Sequence, residues 1–293
     1  MAHLQLGVLL KTLGAGLSAK ERTGVYLTNA LTGWEPPKGA KATSAFKFLT
    51  DEQDAAAKVK REKPIIVILG NPPYNGFAGA PANEERNLIE PYYEGLEEFD
   101  VQVRGLNELY VRFFRLAERR IGGVNRGIVC YISGFNYLRG QSHPVMRRKL
   151  LERFDTIYID NCNGDSRETG KLTPDGNPDQ SMFTTDDQPD GIRTGTAIAT
   201  MVRRRGGPSA PIHATTYYRD LWGMANAKRR TLIASLGVPD PRQEYQQLAP
   251  IRELRFVFAP GTRAPTYDSW IGLDELYGSP LHSARGVVAG AHG

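Results

Sequence analysis

Apolar positions along the chain change their spacing several times, and each change marks an element. Leu4, Leu6, Val8, Leu9, Leu10 and Leu13 crowd Ala2 to Leu13, where length favours a buried helix over a strand. A short β-rich stretch, Gly24 to Thr28, comes next. Residues 29 to 63 are polar and mixed; Pro36 and Pro37 interrupt any long element, and helical character returns from Asp51 to Arg61. Pro64 to Leu69 is a continuous apolar, β-branched run that reads as a strand buried on both faces. Beyond a glycine-rich loop, Asn75 to Glu84, the positions Leu109, Phe113, Leu116 and Ala117 line one face of a helix predicted over Leu106 to Arg120.

Three further strands are predicted at Gly127 to Ile132, Thr156 to Asp160 and Thr196 to Val202. A helix from Pro144 to Phe154 separates the first two, with its proline in the first turn, where a missing N–H costs nothing. Alternating strands and helices imply an α/β fold with a mostly parallel sheet. The last two strands, joined by a long polar excursion, are expected to pair as an antiparallel hairpin. After Arg205 the composition shifts: Gly206 to Pro211 resembles a linker, and the residues beyond it are proline-rich, aromatic and weakly periodic. The expected organisation is therefore a first domain over residues 1–205 and a second region over 206–293.

Composition narrows the classes. At 293 residues and 40% hydrophobic, the chain can bury a genuine core. A mean hydropathy of −0.41 and the lack of any apolar run near 18 residues exclude a transmembrane helix. No basic stretch precedes the first apolar segment, so no secretory signal is expected. Cys130 and Cys162 belong to no C-x-x-C, and the five histidines are scattered, so neither a disulfide framework nor a metal site is expected and the setting reads as cytoplasmic. The net charge of +5 points only weakly to an anionic partner. Its distribution says more: from Val101 to Leu150 ten basic residues face only Glu108 and Glu118, a net +8. Within that block Arg139, Arg147, Arg148 and Lys149 are candidate contacts to a phosphate backbone, with a solvated helix face as the alternative.

The most specific signal is Asn71-Pro72-Pro73-Tyr74, directly after the apolar strand, where open α/β sheets place their ligands. An exocyclic amine conjugated to a base ring is a poor nucleophile because its lone pair is delocalised. Two acceptors aimed at its N–H groups, the Asn71 side-chain oxygen and the Pro72 carbonyl, would draw it toward a tetrahedral, nucleophilic geometry. Pro72 and Pro73 stiffen the turn, and the Tyr74 ring offers a surface on which a flipped base can stack.

These residues resemble the N6-adenine DNA methyltransferases with an Asn-Pro-Pro-Tyr motif. More closely, the chain resembles the methyltransferase region of type ISP restriction–modification enzymes. The similarity runs over roughly residues 2 to 225, carried by AHLQLGVLL, VYLTNAL, GNPPYNG, LYVRFFRLAERRI, GIVCYISGFNYL, MRRKLLERFDTIYIDNCNG, TGTAIATMVR and YYRDLWG. It implies a Rossmann-like sheet that uses S-adenosylmethionine to methylate a flipped adenine in double-stranded DNA. Asn71, Pro72, Pro73 and Tyr74 would form the catalytic tetrad, and Phe183 would pack on the opposite side of the base. Asn29, Leu31, Gly70 and Asn71 would remain of the cofactor site.

The chain departs from the family in lacking a recognisable glycine-rich turn and an acidic residue for the cofactor ribose. Gly14 to Ala19 loosely fits G-x-G-x-x-A but comes after a helix rather than a strand. Segment order implies that Ala2 to Leu13 succeeds the family's second strand and that Gly24 to Thr28 is its third. An incomplete sheet is therefore expected, with the first strands upstream of Met1, and 206–293 reads as the beginning of a target recognition domain. Two alternatives stand beside adenine methylation: a non-catalytic DNA-binding piece or half of a split enzyme, whose partners would be a missing N-terminal part or nuclease and translocase modules; and a methyltransferase acting on protein glutamine or RNA.

Overall fold

A computed structural model describes residues 2–18, 21, 23–34, 47–74, 83–101, 104–204 and 214–261. Its elements are α1 (Ala2–Thr12), α2 (Lys47–Glu62), β1 (Val67–Gly70), α3 (Asn83–Ile89), α4 (Leu109–Val124), β2 (Gly127–Gly134), α5 (Pro144–Arg153), β3 (Thr156–Asn163), β4 (Thr196–Arg203), β5 (Thr215–Asp220), α6 (Ala225–Ser235) and β6 (Gln246–Leu248). The strands form one sheet in the order β1-β2-β4-β3-β5-β6. β1 and β2 are parallel, as are β3 and β5, while β4 runs antiparallel to both of its neighbours and β6 antiparallel to β5. The fold is thus α/β with a mixed sheet. The hairpin expected from the last two predicted strands exists, but β4 is inserted between β2 and β3 rather than closing an edge.

The period of two in the strands sorts the sheet into two faces. On one, Val129, Tyr131, Ile157, Ile159, Ala197, Ala199 and Met201 pack with Tyr110, Val111, Phe114 and Ile121 of α4 and Met146 and Leu150 of α5. On the other, Ile132, Ile198 and Cys162 gather with Met182, Phe183 and Leu221 into a smaller cluster. That second cluster lies at the end of the sheet where β1, β2, β3 and β5 all terminate.

Four expectations need correction. The 64–69 run is not buried on both faces: among the described residues β1 pairs only with β2, and Ile66, Val67 and Leu69 are exposed. Gly24 to Thr28 is irregular rather than a strand, and α1 buries none of its residues. The change of composition at 206 also does not end the compact unit. β5 returns to the sheet beside β3, and that unit extends over Met1–Ala259, with Pro260–Gly293 forming a second. Of the second unit only Pro260 and Gly261 are described. Among the described residues no helix is long and apolar enough to cross a membrane.

Gly127 fixes the entry to β2. It holds φ +145°, and a Cβ there would stand 2.5 Å from the Ile66 carbonyl oxygen, which accepts the Ile128 N–H. Gly127→Ala is expected to cost about 1–3 kcal/mol, read as a lower denaturation midpoint.

Candidate functional site

The tetrapeptide sits where the sequence places it, immediately after β1. Asn71 and Pro73 are exposed, Pro72 is buried and Tyr74 is half-buried. Gly70 is paired with Tyr131 on β2, and a Cβ at Gly70 would come within 2.9 Å of that ring, so only glycine lets the strand end lie this close. The Tyr74 hydroxyl donates to the Ile132 carbonyl oxygen at 3.3 Å, tying the turn to β2. Burial, with the Cys162 thiol a lesser cause, raises the Tyr74 hydroxyl above the usual phenol range, so it stays neutral at physiological pH.

Tyr74 and Phe183 meet edge to face, with ring centroids 5.6 Å apart and planes inclined at 71°. Phe183, with Ile132 and Ile198, packs against the buried side chains of Cys162, Met182 and Leu221, which give the pair an apolar floor. The gap between the rings is too small for a base, since stacking on both sides requires roughly twice the 3.4 Å base spacing. A base would fit between the two rings only if one of them moved. On the expectation that a flipped base stacks here, Phe183→Ala should weaken its capture by about 1–3 kcal/mol, read as a higher KM for DNA with the fold retained.

The segment carrying Phe183 is clamped from α6, a role the sequence did not reveal. Arg229 donates through Nη2 to the carbonyl oxygens of Met182 and Thr184, each at 2.7 Å, on either side of Phe183. The Lys228 ammonium is fully buried, donates to the carbonyls of Cys162 and Gln180, and pairs with Asp179 at 2.7 Å. Asp179 in turn accepts the N–H groups of Gly164 and Gly223. The only sequence signal for this clamp is the unbroken helical stretch 225–235, which the composition assigned to another region.

Part of the basic block is committed to internal partners. Arg147, expected to touch DNA, is instead fully buried and donates to the carbonyl oxygens of Tyr137, Gly140 and Arg255. Arg112 pairs with Glu85 and Arg115 with Glu118. Arg148 pairs with Glu98 and lies over the Phe99 ring. Lys149 is half-exposed, and Arg139 is exposed beside a cavity at the ends of β2, β3 and β5.

Of the cofactor positions, Gly70 and Asn71 line a cavity of about 400 Å³ on the β1 side of the sheet. Leu31 does not reach it, being packed against Leu88 and Leu116. The Asn29 side chain accepts the Leu31 N–H and lies 3.5 Å from Glu85. The charged groups lining the cavity are Lys60 and Arg120; no carboxylate lines it among the described residues.

No protein-family model matches the chain, and no curated protein sequence matches it. Solved structures do. The chain is similar to a nuclease-deletion mutant of the Type ISP restriction-modification enzyme LlaGI in complex with a DNA substrate mimic, at 19% identity and a TM-score of 0.66 over 87% of this chain and 20% of that one. It is also similar to the ATP-dependent Type ISP restriction-modification enzyme LlaBIII bound to DNA, at 20% identity and TM-score 0.58 over 82% and 15%. A DrdV–DNA complex matches at 20% identity and TM-score 0.58 over 87% and 23%. The chain thus spans between 15% and 23% of these proteins' lengths. At these identities the likeness is one of fold.

Proposed function

We propose that this chain carries the adenine-binding side of a DNA N6-adenine methyltransferase belonging to a restriction–modification system. The observation that carries the proposal is Asn71-Pro72-Pro73-Tyr74 at the carboxyl end of β1, with the Tyr74 ring against Phe183 over an apolar floor. The shared fold with DNA-bound restriction–modification enzymes supports DNA as the substrate.

In this proposal a flipped adenine stacks on Tyr74, and Phe183 closes over it. The Asn71 side-chain oxygen and the Pro72 carbonyl accept the two N–H groups of the N6 amine. Withdrawing those hydrogens from the ring plane frees the nitrogen lone pair, and the apolar floor strengthens both hydrogen bonds by excluding water. Holding the amine in one orientation contributes further by proximity.

The family's methyl donor, S-adenosylmethionine, does not fit the described residues equally well. Its sulfonium is cationic and its ribose hydroxyls call for a carboxylate, whereas the cavity beside Gly70 and Asn71 carries Lys60 and Arg120. The misfit and the exposed apolar edge of β1 favour a second reading, in which further polypeptide pairs with that edge and supplies the donor site. Calorimetric titration with S-adenosylmethionine separates the two: binding by this chain alone would contradict the second reading.

Nucleoside analysis tests the proposal itself. DNA from cells expressing the gene should contain N6-methyladenine that is absent from cells without it. Methylated glutamine or methylated RNA, with unmodified DNA, would replace the proposal by the alternative substrates.

A further inference from the structure

The cavity beside Arg139 is separate from the site under Asn71 and Tyr74, yet it opens on the same edge of the sheet. It measures about 460 Å³, within the range of ligand sites, and is built from the residues following β2, the end of β3 and the residues after β5. β2 connects the two places. Ile132 holds the Tyr74 hydroxyl, and Phe135, three residues on, lines the cavity, a separation of roughly 10 Å at strand rise.

Its wall combines three kinds of group. Arg139 is exposed at the cavity, whereas Arg147 and Arg148 nearby are committed to carbonyls and to Glu98. Trp222, half-exposed, contributes a flat indole, and Asn136 and Gln141 contribute exposed amides. Glu108 and Glu168 supply carboxylates, which disfavour a phosphate seated deep but accept hydrogen bonds from an exocyclic amine.

We propose that this cavity is a second nucleotide subsite, taking a nucleotide near the flipped base. The phosphate lies at Arg139, the base on Trp222, and bases bearing an amino group are preferred over thymine. The subsite rests on the proposed DNA substrate but not on the methyl-transfer chemistry.

Tryptophan fluorescence tests it, using the full chain titrated with twelve-nucleotide single strands of oligo-dC, oligo-dA and oligo-dT and an abasic sugar-phosphate strand. Oligo-dC and oligo-dA should quench the emission, and Trp222→Phe should remove that quench while binding persists. Trp222→Ala should weaken binding by about five- to 150-fold, the range of one base–aromatic stack. Oligo-dT should bind at least several-fold more weakly, and the abasic strand should bind without quenching. Arg139→Ala should lower the slope of log affinity against log salt by about 0.7, the loss of one single-strand phosphate contact. Quenching unaffected by Trp222→Phe, or a salt slope unchanged in Arg139→Ala, would overturn the subsite. Equal binding of oligo-dT and oligo-dC would overturn its base preference. Unmethylated DNA together with the expected titrations would remove the methylation proposal and leave the subsite standing, so the two failures are distinguishable.

Discussion

Asn71→Ala is expected to slow methyl transfer to adenine by about 100- to 1,000-fold, the cost of losing one preorganised hydrogen-bonding group at a reacting centre. The loss should fall on kcat. In the proposed site adenine would be held chiefly by the rings of Tyr74 and Phe183, which the substitution does not touch, so KM for DNA should change little. The fold should also survive, because Asn71 is exposed and lies beyond β1 rather than packing within it. Asn71→Asp keeps an acceptor oxygen and should retain more activity than alanine. Tyr74→Ala should show the opposite split, since removing the stacking surface raises KM. Steady-state transfer of labelled methyl groups, with the enzyme that contains this chain, reads both parameters.

Lys228→Met is expected to destabilise the compact unit by about 3–5 kcal/mol, the usual cost of removing one partner of a buried ion pair. Both side chains of the Lys228–Asp179 pair are fully buried, so the remaining carboxylate would have no water to replace the ammonium. Two carbonyls, those of Cys162 and Gln180, would also lose their donor. The consequence reaches the site, because residues 179–184 carry Phe183 and are held to α6 by Lys228 and Arg229. Adding Asp179→Asn should restore part of the loss, since an amide oxygen can still accept from Gly164 or Gly223 and no unpaired charge remains. Denaturation of the two single variants and the double variant measures that coupling.

Legibility in the sequence tracks the range of the forces involved. β2, β3 and β4 were readable because their apolar alternation is local, and the tetrapeptide after β1 was readable because its residue types are rare in that order. Burial of β1 was not, since it depends on which strands lie beside it, and among the described residues β1 has β2 on one side only. Arg147 and Arg148 are neighbours in sequence but point about 100° apart on a helix, which sends one guanidinium into the core and the other toward Glu98. Composition alone treats them alike. The stretch near 206 has the glycine and proline content of a linker, yet the chain rejoins the sheet at Thr215. Long loops and domain linkers share that chemistry, so the contribution of α6 to the Phe183 segment became visible only in three dimensions.

In the proposed function the turn after β1 directs a methyl group to adenine N6 in DNA. Mapping modified bases in genomic DNA from cells expressing either the native gene or its Asn71→Ala variant, at equal protein levels, tests it most directly. N6-methyladenine at a recurrent DNA sequence in the first and its loss in the second is the predicted result. The same methylated positions in both would contradict it.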